Sequence, residues 1–584
     1  MEIEKIVNSL ERIGVLGSPS STTELSLDIL GSAVEKKLVG ELAFFKYQQD
    51  GFDNYALGQI TDIELRNAWL EDPTMRSLAR HKGQVNPISG QQDTHLGKMT
   101  LSAVFGKSSN GFDPSILGTV PQTGTSIQLA NDDLINSLLE KYKDEIFYLG
   151  NVYGSKPKLP LWFKHFDQGR NGAGEAYHLG IFGKTGSGKS VMAKMILTAY
   201  MRYPNMSIVI VDPQGEFGKD FNDKGSGEFK IPLSRISKKY NRRKAVISVK
   251  NLVLDRWELF KEILYESLFF ERLSMSKGEN REIACDILQE KLRKKKIKLS
   301  ELHESKTFDE VWTILRDQNV QMVFYRSQGS RDRFNDAITR ADKNEFFENY
   351  WSPFAKLFRS DRHEARTVEK ALSWALAVEK NGRPIQNRPI LVIDLSREEA
   401  GGLFWNDKIQ ALVVKRVLDG LNNTAEYFFK GGKSLNTLVI IDEAHRLAPR
   451  ETPNDNTDRA VRSVLVDAAR TTRKYGLGWL FISQTLSSLH KEIISQMRIN
   501  FFGFGLSMGT EFIALKELAG GNQDALKLYQ SFRDPHSAFD IQSRQYSFMT
   551  VGPVSPLSFA GTPLFFTAYN KVNDFLEANN ISLT

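Results

Sequence analysis

The sequence predicts an α/β fold: a phosphate-loop core, preceded by a small β domain and interrupted by a helical insertion. Three observations predict it. A strand, glycine loop and helix follow one another in "HLGIFGKTGSGKSVMAKMILTAYMR", residues 178–202. Further short, near-continuous apolar runs come after it: "SIVIVD" (207–212), "PILVIDL" (389–395), "TLVIID" (437–442), "GWLFISQ" (478–484) and "INFFGFGL" (499–506). Strands of a parallel sheet covered on both faces read this way. The first 165 residues instead carry short strand-like runs broken by glycine turns, the spacing of a small barrel or sandwich.

In chain order, "KLVGELAFFKY" and "YALGQITDIEL" flank a turn carrying Asp50-Gly51 and Asn54, which predicts a hairpin. "HLGKMTLSAVFGK" and "TSIQLA" are further strands, and "NDDLINSLLEKY" is a helix capped by Asn131 or Asp132. No catalytic pattern falls in this part. Between the second and third core strands, residues 219–385 are charged and helically patterned, as in "RWELFKEILYESLFFERL" and "NREIACDILQEKLRKKK". A strand, "PLFFTAY", and a helix, "NKVNDFLEANN", close the chain. The expected units are a β-barrel at 1–165, a core at 166–218 and 386–545, the helical insertion at 219–385 and a C-terminal extension at 546–584.

With 41% hydrophobic and 25% charged residues, the 584-residue chain has ample material for a globular core. Its net charge of +7 suits a polyanionic partner without demanding one. A single cysteine, Cys285, excludes an internal disulfide and a cysteine-rich zinc site, and points to a reducing compartment. "MEIEKIVNSLERIG" lacks the apolar region of a secretory signal, and no run of about 18 apolar residues exists. A cytoplasmic location with no membrane contact is expected.

"GKTGSGKS" satisfies the phosphate-loop pattern with Gly183, Lys184, Thr185, Gly186, Ser187, Gly188, Lys189 and Ser190; Val191 follows in the first helical turn. Glycines let backbone N–H groups close on phosphate, and the helix points its positive end at the anion. Lys189 is placed to span the β- and γ-phosphates, and the Ser190 hydroxyl to ligate Mg²⁺. ATP and Mg²⁺ are the expected cofactors. "TLVIIDEAH" ends a buried strand in Asp442, set beside the metal shell, with Glu443 next to it to polarise water. Gln484 ends the following strand as a sensor of the γ-phosphate. Asp212 ends the second strand, "IVIVDPQGEF", and is expected near the loop; with Glu216 it is either catalytic or structural at a turn.

"DRAVRSVLVDAARTTRKYGLG" is a helix that buries Val461, Val464, Leu465, Ala468 and Ala469 and stops at Gly476. Arg470 and Arg473 sit three apart on its outward side, at what is expected to be the active-site edge. They are either a solvated basic face or arginines acting on a neighbouring subunit's ATP, a device that works only in a ring.

As an ordered set, "GKTGSGKS", "VDPQGEF", "VIIDEAH" and "RTTRKYGLGWLFISQ" resemble the HerA family of hexameric DNA translocases, bacterial type, within the wider HerA/FtsK group. The resemblance implies a RecA-like core, an N-terminal HAS-type barrel, and a hexamer around double-stranded DNA. Lys189 and Ser190 would bind ATP–Mg²⁺, Asp442 and Glu443 would serve metal shell and water, Gln484 would sense, and Arg473 would act in trans. Relatives work with a nuclease such as NurA in DNA end processing, or with nucleases and Sir2-like NAD hydrolases in anti-phage defence, docked on the barrel. The chain departs from the family where relatives read Q-R-P and it has "QTLSS", and where a histidine is replaced by Gln214. A two-core DEAH helicase is disfavoured, because no second core and no Q-x-x-G-R-x-G-R run follow. The standing alternative is a ring scaffold that activates an effector with little DNA movement. "KLRKKKIK" (291–298) is densely basic but reads more readily as a solvated helix face than as a DNA contact, and Arg446 and Arg450, or Lys491 and Arg498, are the candidates to face a central channel.

Overall fold

In the first 130 residues the strands bury one face in a shared interior, and Leu42, Phe44, Tyr55, Leu57, Ala103 and Phe105 bury the other face as well. The computed structural model describes residues 2–82, 91–109, 111–169, 172–225, 227, 229–540, 543–558 and 562–583. Strands β1 (Arg12–Leu16), β2 (Glu24–Ile29), β3 (Leu42–Gln49), β4 (Phe52–Asn67), β5 (Asp93–Ser108), β6 (Gly111–Ser115) and β7 (Ser126–Leu129) form one sheet. Its order is β2-β1-β7-β3-β4-β5-β6, and a further β2–β5 pairing closes six of the strands into a barrel, leaving β6 outside on β5. Closure removes the open edges that would recruit other strands. Ile13, Leu27, Phe45, Ile60, Val104 and Ile127 fill it. The β3–β4 hairpin turns at Asp50 and Gly51, both with positive φ. Asn131 caps the helix Asp132–Leu138, its side chain accepting the Leu134 N–H at 2.9 Å.

A second sheet runs through the rest of the chain. Its strands are β8 (Ile146–Val152), β9 (Lys158–Trp162), β10 (His178–Phe182), β11 (Ser207–Asp212) and β12 (Lys244–Ser248). Two short ladders stand apart from it, β13 (Leu252–Val253) with β14 (Arg366–Thr367), and β15 (Glu379–Lys380) with β16 (Arg383–Pro384). It resumes with β17 (Ile390–Asp394), β18 (Thr437–Ile441), β19 (Leu477–Ser483), β20 (Met497–Phe502), β21 (Tyr546–Val551) and β22 (Leu564–Ala568). The order is β12-β17-β11-β18-β19-β10-β20-β21-β22-β8-β9. The strands from β12 to β20 are parallel, and the four from β21 to β9 add on antiparallel.

Each central strand divides its side chains between two cores. Ile208 and Ile210 pack on one face of β11, Val209 and Val211 on the other. That is why these strands read as unbroken apolar runs. β8 and β9 lie before residue 165 yet belong to this sheet, because Phe147, Leu149, Leu159 and Leu161 are buried in the core shared with the helix Lys189–Met201. β12 likewise falls inside 219–385 and edges the sheet. The remainder of that segment is largely helical, around an aromatic cluster in which Trp351 meets Phe260, Phe269, Phe308 and Phe354.

The barrel is stitched to the sheet by Gln59. Its buried amide donates to the Phe565 carbonyl at 3.0 Å and accepts the Phe565 N–H at 2.8 Å. The Lys527–Asp62 pair at 3.1 Å spans the same seam. Among the described residues no helix is long and apolar enough to cross a membrane.

Candidate functional site

Parallel strands deliver their C-terminal ends to one edge, where ligands of open α/β sheets gather. The loops after β10, β11, β18 and β19 all emerge there. The phosphate loop bends from β10 into the helix Lys189–Met201, with Gly186 at φ 82° and Gly188 at φ 89°, a region side chains rarely adopt. At Gly188 space is also short, since a Cβ there would lie 2.9 Å from the Tyr546 ring. The Lys189 ammonium donates to the Lys184 carbonyl at 3.0 Å. Burial lowers its pKa, while Glu443, Asp442 and Glu216 act to raise it. The buried Ser187 hydroxyl has no hydrogen-bond partner among the described residues.

Asp442 follows β18 and is buried; the Glu443 N–H donates to its Oδ1 at 2.8 Å. Burial first, then the charges of Glu443 and Glu216, push the Asp442 carboxyl up to about 7. Glu443 sits at φ 54°, ψ 39°, a strained conformation for a residue with a side chain. Its Oε1 accepts from Gln484 Nε2 at 2.8 Å, and Gln484 Oε1 accepts from the Thr185 hydroxyl at 3.1 Å. Loop, sensor and acid thus form one hydrogen-bonded line. His445 approaches the other Glu443 oxygen at 3.6 Å, its pKa lowered by burial.

A cavity of about 750 Å³ opens over this line, and Lys189, Ser190, Glu216, Asp442, Glu443 and Gln484 face it. Glu216 also pairs with Lys194 at 3.7 Å. Asp212 is placed differently from the sequence expectation. β18 and β19 stand between its strand and β10, and its oxygens accept the Gly215 and Gly218 N–H groups, each at 2.8 Å. Fully buried and pushed up to about 7 chiefly by that burial, it folds the turn before Glu216. The sequence reading passed over the cavity's far wall, where Arg544, Tyr546, Tyr569 and Asn570 stand beside His536. No motif marks them. They arrive because β21 and β22 pair, with Tyr546 opposite Ala568.

Arg470 and Arg473 lie at the opposite edge of the sheet. A helix that precedes a parallel strand runs antiparallel to it, so the helix Asn456–Thr471 brings its C-terminal end to where β19 begins. Arg470 pairs with Glu492 at 3.3 Å; Arg473 and Arg498 flank Glu175 at 3.8 and 3.3 Å. Arg446 and Arg450 stay at the nucleotide edge, where Arg450 donates to the Ser487 carbonyl at 3.3 Å. Lys491 starts the crossover helix Lys491–Gln496 between the edges, so these basic residues do not converge. Within 291–298, Lys294 and Lys295 are engaged by Glu290 and Glu310.

Residues 176–398 match the family model "Helicase HerA, central domain". Over those residues the chain is similar to the central domain of HerA. The chain is also similar to solved structures at low identity. VirB4 of Thermoanaerobacter pseudethanolicus aligns at 14% identity and a TM-score of 0.34, covering 73% of this chain and 96% of that one. The bacterial conjugative coupling protein TrwBdeltaN70 aligns at 14% and 0.34, covering 76% and 92%. The genome packaging NTPase B204 of Sulfolobus turreted icosahedral virus 2, in complex with AMPPCP, aligns at 10% and 0.26, covering 68% and 98%. No curated protein matches the chain.

Proposed function

We propose that this HerA-type NTPase hydrolyses ATP as a hexameric motor on double-stranded DNA, with a nuclease or other effector, such as a Sir2-like enzyme, docked on its barrel. DNA end processing and anti-phage defence are the settings that fit such a pairing. The observation that carries the reading is the line Thr185–Gln484–Glu443 beside Lys189 and Asp442 in one cavity. It joins a phosphate cradle to a carboxylate placed to polarise water, and to an amide that touches both.

Among the described residues no three acid or histidine side chains converge to hold a metal, so a divalent cation fits here only as a partner of bound phosphate. Asp442, Glu443 and Glu216 share the cavity, and their mutual repulsion helps hold Asp442 partly protonated. A cation held by the Ser190 hydroxyl and, through water, by Asp442 would relieve that repulsion and neutralise phosphate charge. Lys189 turns from the Lys184 carbonyl to the phosphates. Gln484 relays the state of Glu443 to the "QTLSS" loop, whose Leu486 N–H is held by Glu511 at 2.7 Å.

A ring reading gains support from Arg473. Its side chain is 55% exposed, and it stands at the edge away from its own phosphate loop, so any nucleotide it served would be a neighbouring subunit's. Double-stranded DNA as the load is supported by the HerA central-domain match and by the net charge of +7. The test is ATP turnover by the purified chain with and without long duplex DNA, with Glu443→Gln as the control. Stimulation by DNA that the control abolishes supports the motor. Turnover indifferent to DNA defeats it in favour of an effector scaffold.

A further inference from the structure

The phosphate end of the cavity is accounted for above; its far end is not. There the starts and ends of two antiparallel strands meet the first turn of the helix Lys189–Met201. Tyr546 opens β21, while Tyr569 and Asn570 follow directly on β22. All three line the cavity, together with Arg544, Val191 and Met192. Two rings crowd the phosphate loop: that of Tyr546 leaves no room for a Cβ on Gly188, and that of His536 none for a Cβ on Gly186. Three restraints fix this wall. Tyr546 pairs in register with Ala568, Asn570 Nδ2 donates to the Arg544 carbonyl at 3.0 Å, and the Tyr569 N–H donates to Leu149 at 3.0 Å. The buried Nε of Arg544 has no hydrogen-bond partner among the described residues.

We propose that this wall is the nucleoside subsite, with the ring of Tyr546 as the platform on which the nucleobase stacks. The proposal rests on the phosphate-loop reading and extends it, because it makes the C-terminal strands a part of nucleotide recognition. The geometry supports it directly. A triphosphate seated on the loop would direct its nucleoside past Gly188 and Val191, where the ring of Tyr546 stands, while His536 borders the loop at Gly186. Base stacking on an aromatic side chain is tolerant of base identity, so the subsite accepts purine nucleotides through a π face and not through edge reading.

Calorimetry on the full chain tests this with two probes, a non-hydrolysable ATP analogue and inorganic tripolyphosphate. The wild-type protein is expected to bind the analogue at least ~10-fold tighter, the worth of one stacked base. Tyr546→Ala and the bulk-preserving Tyr546→Leu should erase that preference and leave tripolyphosphate affinity unchanged, while Tyr546→Phe keeps it. Equal binding of the two probes by the wild type overturns the subsite, and this comparison needs no variant to fold. Undiminished preference in Tyr546→Leu overturns the role of Tyr546. Failure of the phosphate loop itself would look different: tripolyphosphate would not bind, or Lys189→Ala would bind it as well as the wild type.

Discussion

The two edges of the long sheet carry opposite kinds of charge chemistry. At the nucleotide edge Asp442, Asp212 and Lys189 are buried, and burial shifts each of their pKa values toward the neutral form. At the other edge Arg470, Arg473, Glu175, Glu492 and Arg498 are half-exposed and held by loose pairs of 3.3 to 3.8 Å. Withdrawing carboxylates from water costs free energy that a ligand can return, so the first edge is poised for binding. Solvated ion pairs cost little to break, so the second edge is suited to exchanging partners.

That contrast is best broken at Glu443. Glu443→Gln should cut ATP turnover by up to ~10⁴-fold, the scale of a lost general base, with nucleotide affinity nearly intact by calorimetry. Loss of binding along with turnover would mean that the acid belongs to the cradle and not to the chemistry. At the far edge, Arg473→Ala should lower turnover ~10³-fold if it acts as a trans arginine. Mixing Arg473→Ala with Glu443→Gln subunits should restore part of the activity, which a residue acting within its own subunit would not allow.

Asp442 sharpens the contrast through pH. Its folded carboxyl titrates at about 7, above the ~3.9 of an unfolded aspartate. The stability this proton provides is therefore complete below about 4 and lost as pH rises through about 7. Nucleotide-free Asp442→Asn should unfold a few degrees higher than the wild type at pH 8, about 1 kcal/mol or more of stabilisation, and the difference should shrink steadily as the pH falls from about 7 to about 4. A midpoint unchanged across that range would remove the buried-charge account. The smallest effect belongs to Glu175→Gln. It should shift stability by no more than ~0.5 kcal/mol, and raising salt to ~0.5 M should remove even that difference in thermal melts.

Much of this site was legible as sequence. The phosphate loop, Asp442, Glu443 and Gln484 each stand at the end of an apolar run, and a parallel sheet brings such ends to one edge. The same logic misplaced Asp212, because sequence order does not give strand order; two strands inserted later in the chain separate it from the loop. It also set Arg470 and Arg473 at the active-site edge, although the antiparallel run of helix to strand carries them to the other. Tyr546 and Arg544 were illegible for a different reason. They belong to no motif, and their position depends on β21 pairing with β22 and β20, contacts that span a long stretch of chain.

By itself the sequence determined the local units. Glycines where φ is positive, apolar runs of strand length and acids at their ends are short-range requirements, satisfied within a few residues. Only the tertiary structure decided which ends meet. The six-stranded closure of the barrel, the Gln59 stitch to Phe565 and the far wall at Tyr546 all join residues distant in sequence. Such pairings are chosen by which faces must be buried together, and that choice is made across the whole chain at once.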